Sequence, residues 1–310
     1  MTVVPNSMVS AGYVMETTAG VVPATPAFKA WRIKSDALEI VNDLAFSAEL
    51  NGFRGDVGGV PIYQDVKGAI GLEYSYGILD DMLTSVLRNA WAVNSITDGN
   101  TPATFTTQTD YNAGTTQIYK RASGLQVDKM MLNFKPNAVV DGTLDLMGLN
   151  GQYTNVAVAG ATLVAAANEA PVATPTVGAF AFGAFTPDYV VSADLTIANN
   201  MKPRKVLGSL NPADIGAYKF DVTGSLVFFV SGSALNTMLA YTGSTPTTMS
   251  FTVGNVTGKK LNVSLPRVMI TSLKTVSQSK DGDAMVECKW KAAQSSFAGG
   301  NVITITRNNV

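Results

Sequence analysis

The chain has 310 residues, with 22 basic against 23 acidic side chains and no legible basic run, which argues against strong phosphate-driven DNA binding. Hydrophobic residues at 46% suffice for ordinary cores without disulfide or metal staples, and the length suggests two domains. Histidine is absent, which excludes Ser-His-Asp and Cys-His catalysis, imidazole zinc sites and histidine pH switching.

Residues 1–30 read as an arm rich in Pro, Thr, Gly and Val, with Pro23 and Pro26 breaking any regular element. No positive n-region precedes residue 10, so the segment is not read as a signal peptide, and a soluble protein made inside a cell is expected. A first unit is expected over residues 31–152. Leu44, Phe46, Ala48 and Leu50 alternate with Ala45, Ser47, Glu49 and Asn51, which is strand periodicity with the apolar face toward a core. Val66, Gly68, Ile70, Leu72 and Tyr74 alternate in a second strand, and residues 52–65 between the two read as a long glycine-rich loop. A helix over residues 78–91 follows, its apolar stripe of Ile78, Leu79, Met82, Leu83, Val86 and Leu87 packing on the unit's own sheet. Asp80 and Asp81 in its first turn and Arg88 near its end suit the helix dipole. Strands resume near Phe105 and Ile118 and over 127–134 and 143–149, with turns at Asp98-Gly99 and Asp141-Gly142.

Residues 153–189 form an Ala/Pro/Thr/Gly-rich connector; its apolar stretch, 156–167, is too short to span a bilayer. The second unit, 190–310, repeats the order: strand 190–198, long loop, strand 217–230, a helix near 233–241 with Ser233 as N-cap, then strands to the end. Asn255-Val256-Thr257 and Asn262-Val263-Ser264 match the glycosylation sequon by chance. Cys288, the single cysteine, alternates with Ala284, Val286 and Trp290 as a buried strand residue would. With no partner for a disulfide, it suits a reducing compartment.

The two halves echo one another. Phe46-Ser47-Ala48-Glu49-Leu50 returns as Val191-Ser192-Ala193-Asp194-Leu195, and Val66-Lys67-Gly68 as Val222-Thr223-Gly224. Leu79, Met82 and Leu83 return as Leu235, Met238 and Leu239, Thr104-Phe105-Thr106 as Ser250-Phe251-Thr252, and Asp141-Gly142 as Asp281-Gly282. A period this long is that of a domain, not of a solenoid or propeller blade. No Walker loop, dinucleotide fingerprint, CxxC pair or nucleophile elbow is present. Asp98, Asn100 and Asp110 fail the EF-hand spacing. Neither an enzyme nor any cofactor or metal site is expected.

In this order the motifs resemble the tail tube proteins of long, non-contractile bacteriophage tails, in their larger, duplicated form. The resemblance rests on the opening Glu16-Thr17-Thr18-Ala19-Gly20-Val21-Val22-Pro23-Ala24-Thr25-Pro26, on Leu195-Thr196-Ile197-Ala198-Asn199-Asn200-Met201-Lys202-Pro203, and on Leu265-Pro266-Arg267-Val268. It covers about residues 13 to 295. It implies a mainly β fold, with two tandem β-sandwich or barrel units each flanked by one helix, assembling into a ring-shaped β-barrel. The implied function is a structural virion protein whose stacked rings form the tube that delivers DNA. The implied partners are further copies of itself, the tape measure and tail terminator proteins, and DNA passing without sequence-specific binding. The implied location is the virion tail, after synthesis in the host cytoplasm. The alternative reading is a virion decoration or adhesin-like surface protein.

Two sets of residues carry the expected assembly. Single-unit members close as six-fold rings, so two units per chain predict trimers with pseudo-six-fold symmetry, with a hexamer as the alternative. Ser47, Glu49 and Asn51 and, in register, Ser192, Asp194 and Thr196 are expected to line the lumen, with Lys67, Glu73, Thr223 and Ser225 beside them. Glu49 and Asp194 would form a ring of carboxylates. Val60, Ile62, Tyr63, Met201, Val206 and Leu207, apolar residues in turn-rich loops, are expected to hold ring to ring together with the arm.

Overall fold

A computed structural model describes residues 4–49, 52, 54–56, 58–112, 117–166, 169–178, 180–183, 186–187, 189–231, 245–276 and 280–308. In chain order the strands are β1 (Val9–Met15), β2 (Ala27–Ala30), β3 (Ile33–Asp36), β4 (Glu39–Phe46) and β5 (Gly59–Glu73). The helix α1 (Asp80–Leu87) follows, then β6 (Ser95–Thr97), β7 (Phe105–Asn112), β8 (Gln117–Phe134), β9 (Asp141–Gly148) and β10 (Asn150–Thr154). After β11 (Thr162–Val164) and β12 (Ala181–Phe182) come β13 (Val190–Ala198), β14 (Lys202–Arg204), β15 (Asp214–Gly216) and β16 (Asp221–Phe229). The last four are β17 (Thr247–Val256), β18 (Lys259–Val276), β19 (Met285–Ala292) and β20 (Thr304–Asn308). The fold is mainly β.

One antiparallel sheet runs through both halves. β3 and β4 lie along β5, and from there neighbours follow as β5–β9–β8–β13–β16–β19–β18. The crossing between halves is β8–β13, which pairs Phe134 with Ala193 through to Lys129 with Ala198. β8 and β18 each serve two sheets: their first parts pair with β7 and β10, and with β17 and β20, while their last parts belong to the shared sheet. Each bulges just inside that last part, between Val127 and Lys129 and between Ile270 and Ser272, where an extra residue sharpens the twist.

Period-two alternation decides what each face of the sheet does. In β9, Gly142, Leu144, Leu146 and Gly148 are buried while Asp141, Thr143, Asp145 and Met147 are half-exposed. The buried face continues with Val66, Ile70 and Leu72, then Leu195 and Ile197, then Val286, Cys288 and Trp290. Met82, Leu83, Val86 and Leu87 of α1 cover part of it, each worth about 1.5–3 kcal/mol when fully buried. Phe134, Phe180 and Phe251 meet where the halves join, with ring centroids 4.6 to 6.0 Å apart.

The C-terminal strand closes a second connection between the halves: β20 pairs with β18 on one side and β6 on the other. Asp98 accepts from the amides of Val302 and Ile303 at 2.7 and 3.1 Å, and Arg307 reaches the Asp80 carboxylate at the start of α1 while lying 4.0 Å from the Trp91 ring. Burial pushes the Asp80 carboxyl up, and Arg307 opposes that.

Several expectations change. The residues read as an arm include β1, paired along its length with β7, and Tyr13 and Phe28 are buried. The connector contributes β11, parallel to β2, and β12, paired with β17. Residues 59–65, read as loop, are the start of β5, so β4 and β5 form a long hairpin. Leu44 and Phe46 do not face a core: they are 50% and 58% exposed. Asp141-Gly142 is already strand, and the preceding turn centres on Asn137 at φ 55. α1 stops at Arg88, left-handed at φ 52, and Trp91 folds back to donate its indole N–H to the Asp80 carbonyl at 3.0 Å. The helix expected at 233–241 lies outside the described residues.

Gly68 and Gly224 mark how the halves correspond in space. A Cβ on Gly68 would sit 2.1 Å from the Ala37 carbonyl oxygen, and one on Gly224 would sit 2.2 Å from that of Asp194. Gly68 pairs with Leu146 in β9, and Gly224 with Trp290 in β19. The strand segment lying where β13 lies is therefore residues 36–41, not 46–50: Leu38, beside Gly68, occupies the place of Leu195, opposite Gly224.

Candidate assembly surfaces

The exposed face of the shared sheet carries internally paired charges and hydroxyls among half-exposed methionines such as Met131 and Met147. Asp145 meets Lys129 across the β8–β9 ladder at 3.6 Å, and Lys34 on β3 reaches Glu73 at 3.6 Å and Asp141 at 4.0 Å. In the second half the Asp194 carboxylate accepts from the Ser225 hydroxyl directly opposite it, and Lys289 lies 3.5 Å from Glu287. Asp221 is held by Lys291 and by Lys219, the latter at 3.3 Å. Burial alone would raise the Asp221 carboxyl, but the hydrogen bonds from Lys291 and Lys219 outweigh it and hold it below the usual aspartate range.

Seven of the sequence-predicted lumen residues share this face: Lys67 and Glu73 on β5, Ser192, Asp194 and Thr196 on β13, and Thr223 and Ser225 on β16. Thr196 and Thr223 are cross-strand partners, as are Asp194 and Ser225. The remaining three are not brought to it. Ser47 and Glu49 follow the last residue of β4, far from the register of Asp194, and Asn51 lies outside the described residues. Asp141, Asp145, Lys129, Glu287, Lys289 and Lys291 are on the face but were missed. The alternation in 141–148 and 285–292 was a sufficient signal for all of them but Lys129, which follows the bulge in β8.

A second surface is apolar. At the far end of the β4–β5 hairpin, Leu44, Phe46, Val60 and Ile62 are all at least half exposed. The segment between β14 and β15 packs beside it: Lys205 sits 3.6 Å above the Tyr63 ring, and the Gln64 amide donates to the Leu210 carbonyl at 2.8 Å. That contact presents Val206, Leu207 and Leu210, with Leu207 fully exposed. Two predicted stacking residues face inward instead. Tyr63 is buried under Lys205, and Met201 is buried where its amide donates to the Asp128 carboxylate at 2.6 Å. Asn199 beside it donates to the Val86 and Val127 carbonyls at 2.8 and 3.2 Å, so this turn anchors the second half to α1 and β8.

The third feature is a pair of edges without a strand partner, one of which has its Leu38 amide and carbonyl already held by Asp36 and Lys120. Among the described residues β4 is paired on one side only, along β5, and residues 269–276 of β18 only along β19. Cys288 is buried in the core, which pushes its thiol up to about 12. Among the described residues no group of three or more Cys, Asp or Glu is placed to hold a metal ion, and no helix is long and apolar enough to cross a membrane.

Comparison with curated proteins gives no match. Residues 6–292, nearly the whole chain, match the family described as phage tail tube protein. A β-rich chain with a polar sheet face, an exposed apolar hairpin and free strand edges is what a self-assembling virion component needs, and this chain belongs to the phage tail tube protein family.

Proposed function

We propose that copies of this chain close into rings through the free edges of the shared sheet, and that the rings stack into the conduit through which phage DNA passes. The observation that carries the reading is the shared sheet itself, which runs without a break through both halves and ends in β3/β4 on one side and β18 on the other. An open sheet this long invites pairing with another chain, and ring closure removes both edges at once. The matching course of β5, β8 and β9 against β16, β18 and β19 supports a duplicated unit, and hence three chains per ring with pseudo-six-fold symmetry.

The polar face lines the lumen, with Glu73, Asp194, Thr196, Thr223 and Ser225 on it. Its charges are balanced by neighbouring lysines, so the lumen is not a bare carboxylate ring. The hairpin end and residues 205–211 carry the ring-to-ring contacts. Tape measure and terminator proteins meet the ends of the stack, and the site of action is the virion tail. Electron microscopy of the concentrated purified chain tests this: tubes are expected, whereas a chain that stays monomeric at high concentration overturns it. Counting chains in one layer tests the symmetry, and six would sink the trimer.

A further inference from the structure

The internal β8–β13 junction carries a template for the contact between chains. β8 and β18 match in length, in their bulge and in their pairing with the following strand: Val127 pairs with Leu146 before the bulge at Asp128, and Ile270 with Trp290 before the bulge at Thr271. Lys129 to Asn133 thus correspond to Ser272 to Val276. On the other side of the junction, the glycine contacts place residues 37–41 where 194–198 lie. One half's outgoing edge is therefore paired inside the chain, while the equivalent edge of the other half is free.

Resting on the ring reading above, we infer that β18 of one copy pairs antiparallel with residues 37–41 of a second copy in the register of the internal junction, which sets Lys274 directly across from Glu39. Inside the chain the equivalent pair is Met131 and Thr196, and the next is Met130 and Ile197. The register also brings Leu273 against Ile40. Both are only partly buried, both pack at the rim of the core, and each pairs within its own chain with a fully buried residue, Cys288 and Val66. Their meeting continues the core across the boundary, as Met130 and Ile197 do internally.

Charge selects this register. Glu39 and Lys274 are exposed, and neither takes part in a salt bridge among the described residues. Lys274 is flanked across its own sheet by Glu287, and Glu39 by Lys67, so the joined sheets present the alternating row Glu287, Lys274, Glu39, Lys67. A slip of one residue turns Lys274 to the opposite face, and a slip of two sets it against Val41 or Ala37. Charged edges also deter pairing with wrong partners before assembly.

Cysteine pairs read the register directly. Opposed residues on antiparallel strands have Cα atoms about 4.5–5.5 Å apart, within disulfide range, whereas diagonal neighbours are about 7–8 Å apart. Oxidised assemblies of the Glu39→Cys/Lys274→Cys variant should run as covalent multimers that reductant releases, and Val41→Cys/Lys274→Cys assemblies should stay largely monomeric. Because cysteine removes the charges, charge reversal gives a second readout. Glu39→Lys or Lys274→Glu alone should raise the concentration needed for assembly about three- to tenfold, and the double reversal should restore it. Cross-linking at Val41 instead of Glu39, or a double reversal no better than the singles, overturns the register while leaving ring assembly standing. A wild-type chain that forms no rings overturns the assembly reading itself.

Discussion

Lys120 is the most consequential charge in the interior. It is 5% exposed, lies 2.7 Å from Asp36 and donates to the Leu38 carbonyl at 3.1 Å. Asp36 also accepts from the Thr109 hydroxyl at 2.9 Å and the Leu38 amide at 3.0 Å, so the cluster fixes the step from β3 to β4. Removing one partner leaves the other charge buried, at a cost of about 3–5 kcal/mol. Asp36→Ala should lose about that much in urea denaturation, and Lys120→Met with Asp36→Asn should recover most of it; a loss under about 1 kcal/mol for the single variant would refute the buried pair. Asp221 gives a pH effect of known sign. Its folded carboxyl lies below the ordinary value of about 3.9, so its stabilisation is fully present above that pH and is lost as pH falls through the lower folded value. Wild type should therefore lose stability faster than Asp221→Asn below about pH 4. Parallel curves would remove the Lys291–Asp221 link from the account.

At the scale of elements, legibility followed whether a strand was half buried. β9, β13 and β19 alternate and are half buried, so their polar faces were readable, and α1's apolar stripe marked a covering helix. The β4–β5 hairpin misled because a strand exposed on both faces alternates like one that packs on a core, and nothing local reveals the missing cover. Glycines between its arms disguised the start of β5 as loop. The correspondence between the halves shifts there for the same reason: Phe46–Leu50 resembles Val191–Leu195 in residue type, while the close backbone approach at Gly68 is to Ala37 and Leu38. Phe46 and Ile62, 58% and 55% exposed, contribute little to the isolated chain's stability. Phe46→Ser with Ile62→Ser should change unfolding by no more than about 0.5 kcal/mol each, yet leave rings that do not lengthen into tubes. Normal tubes from this variant would move the stacking contact elsewhere.

At the scale of the whole molecule, a tube wall that DNA slides along must neither bind phosphate nor expel it. A basic wall would bind through counterion release, with an affinity falling steeply as salt rises. On the face proposed to line the lumen, most exposed lysines lie near a carboxylate, as in Lys129–Asp145, Lys289–Glu287 and Lys34 between Glu73 and Asp141, with Lys274 left at the edge for the contact between chains. Such pairs are worth about 0–1 kcal/mol apiece, so their value here lies in cancelling the field within about a Debye length, roughly 8 Å at physiological salt, more than in stability. Replacing Glu73 and Asp194 by lysine leaves Lys34 with Asp141 alone and shifts the net charge of a three-chain ring by roughly +12, six carboxylates lost and six ammonium groups gained. Tubes should still form, because both residues lie on an exposed face, but genome ejection should slow. The slowing should be greatest at low salt and relieved at high salt, and the matched Glu73→Gln/Asp194→Asn variant should eject almost normally. Ejection kinetics measured across a salt series decide the matter: a lysine variant as fast as wild type at every salt concentration would place this face outside the lumen.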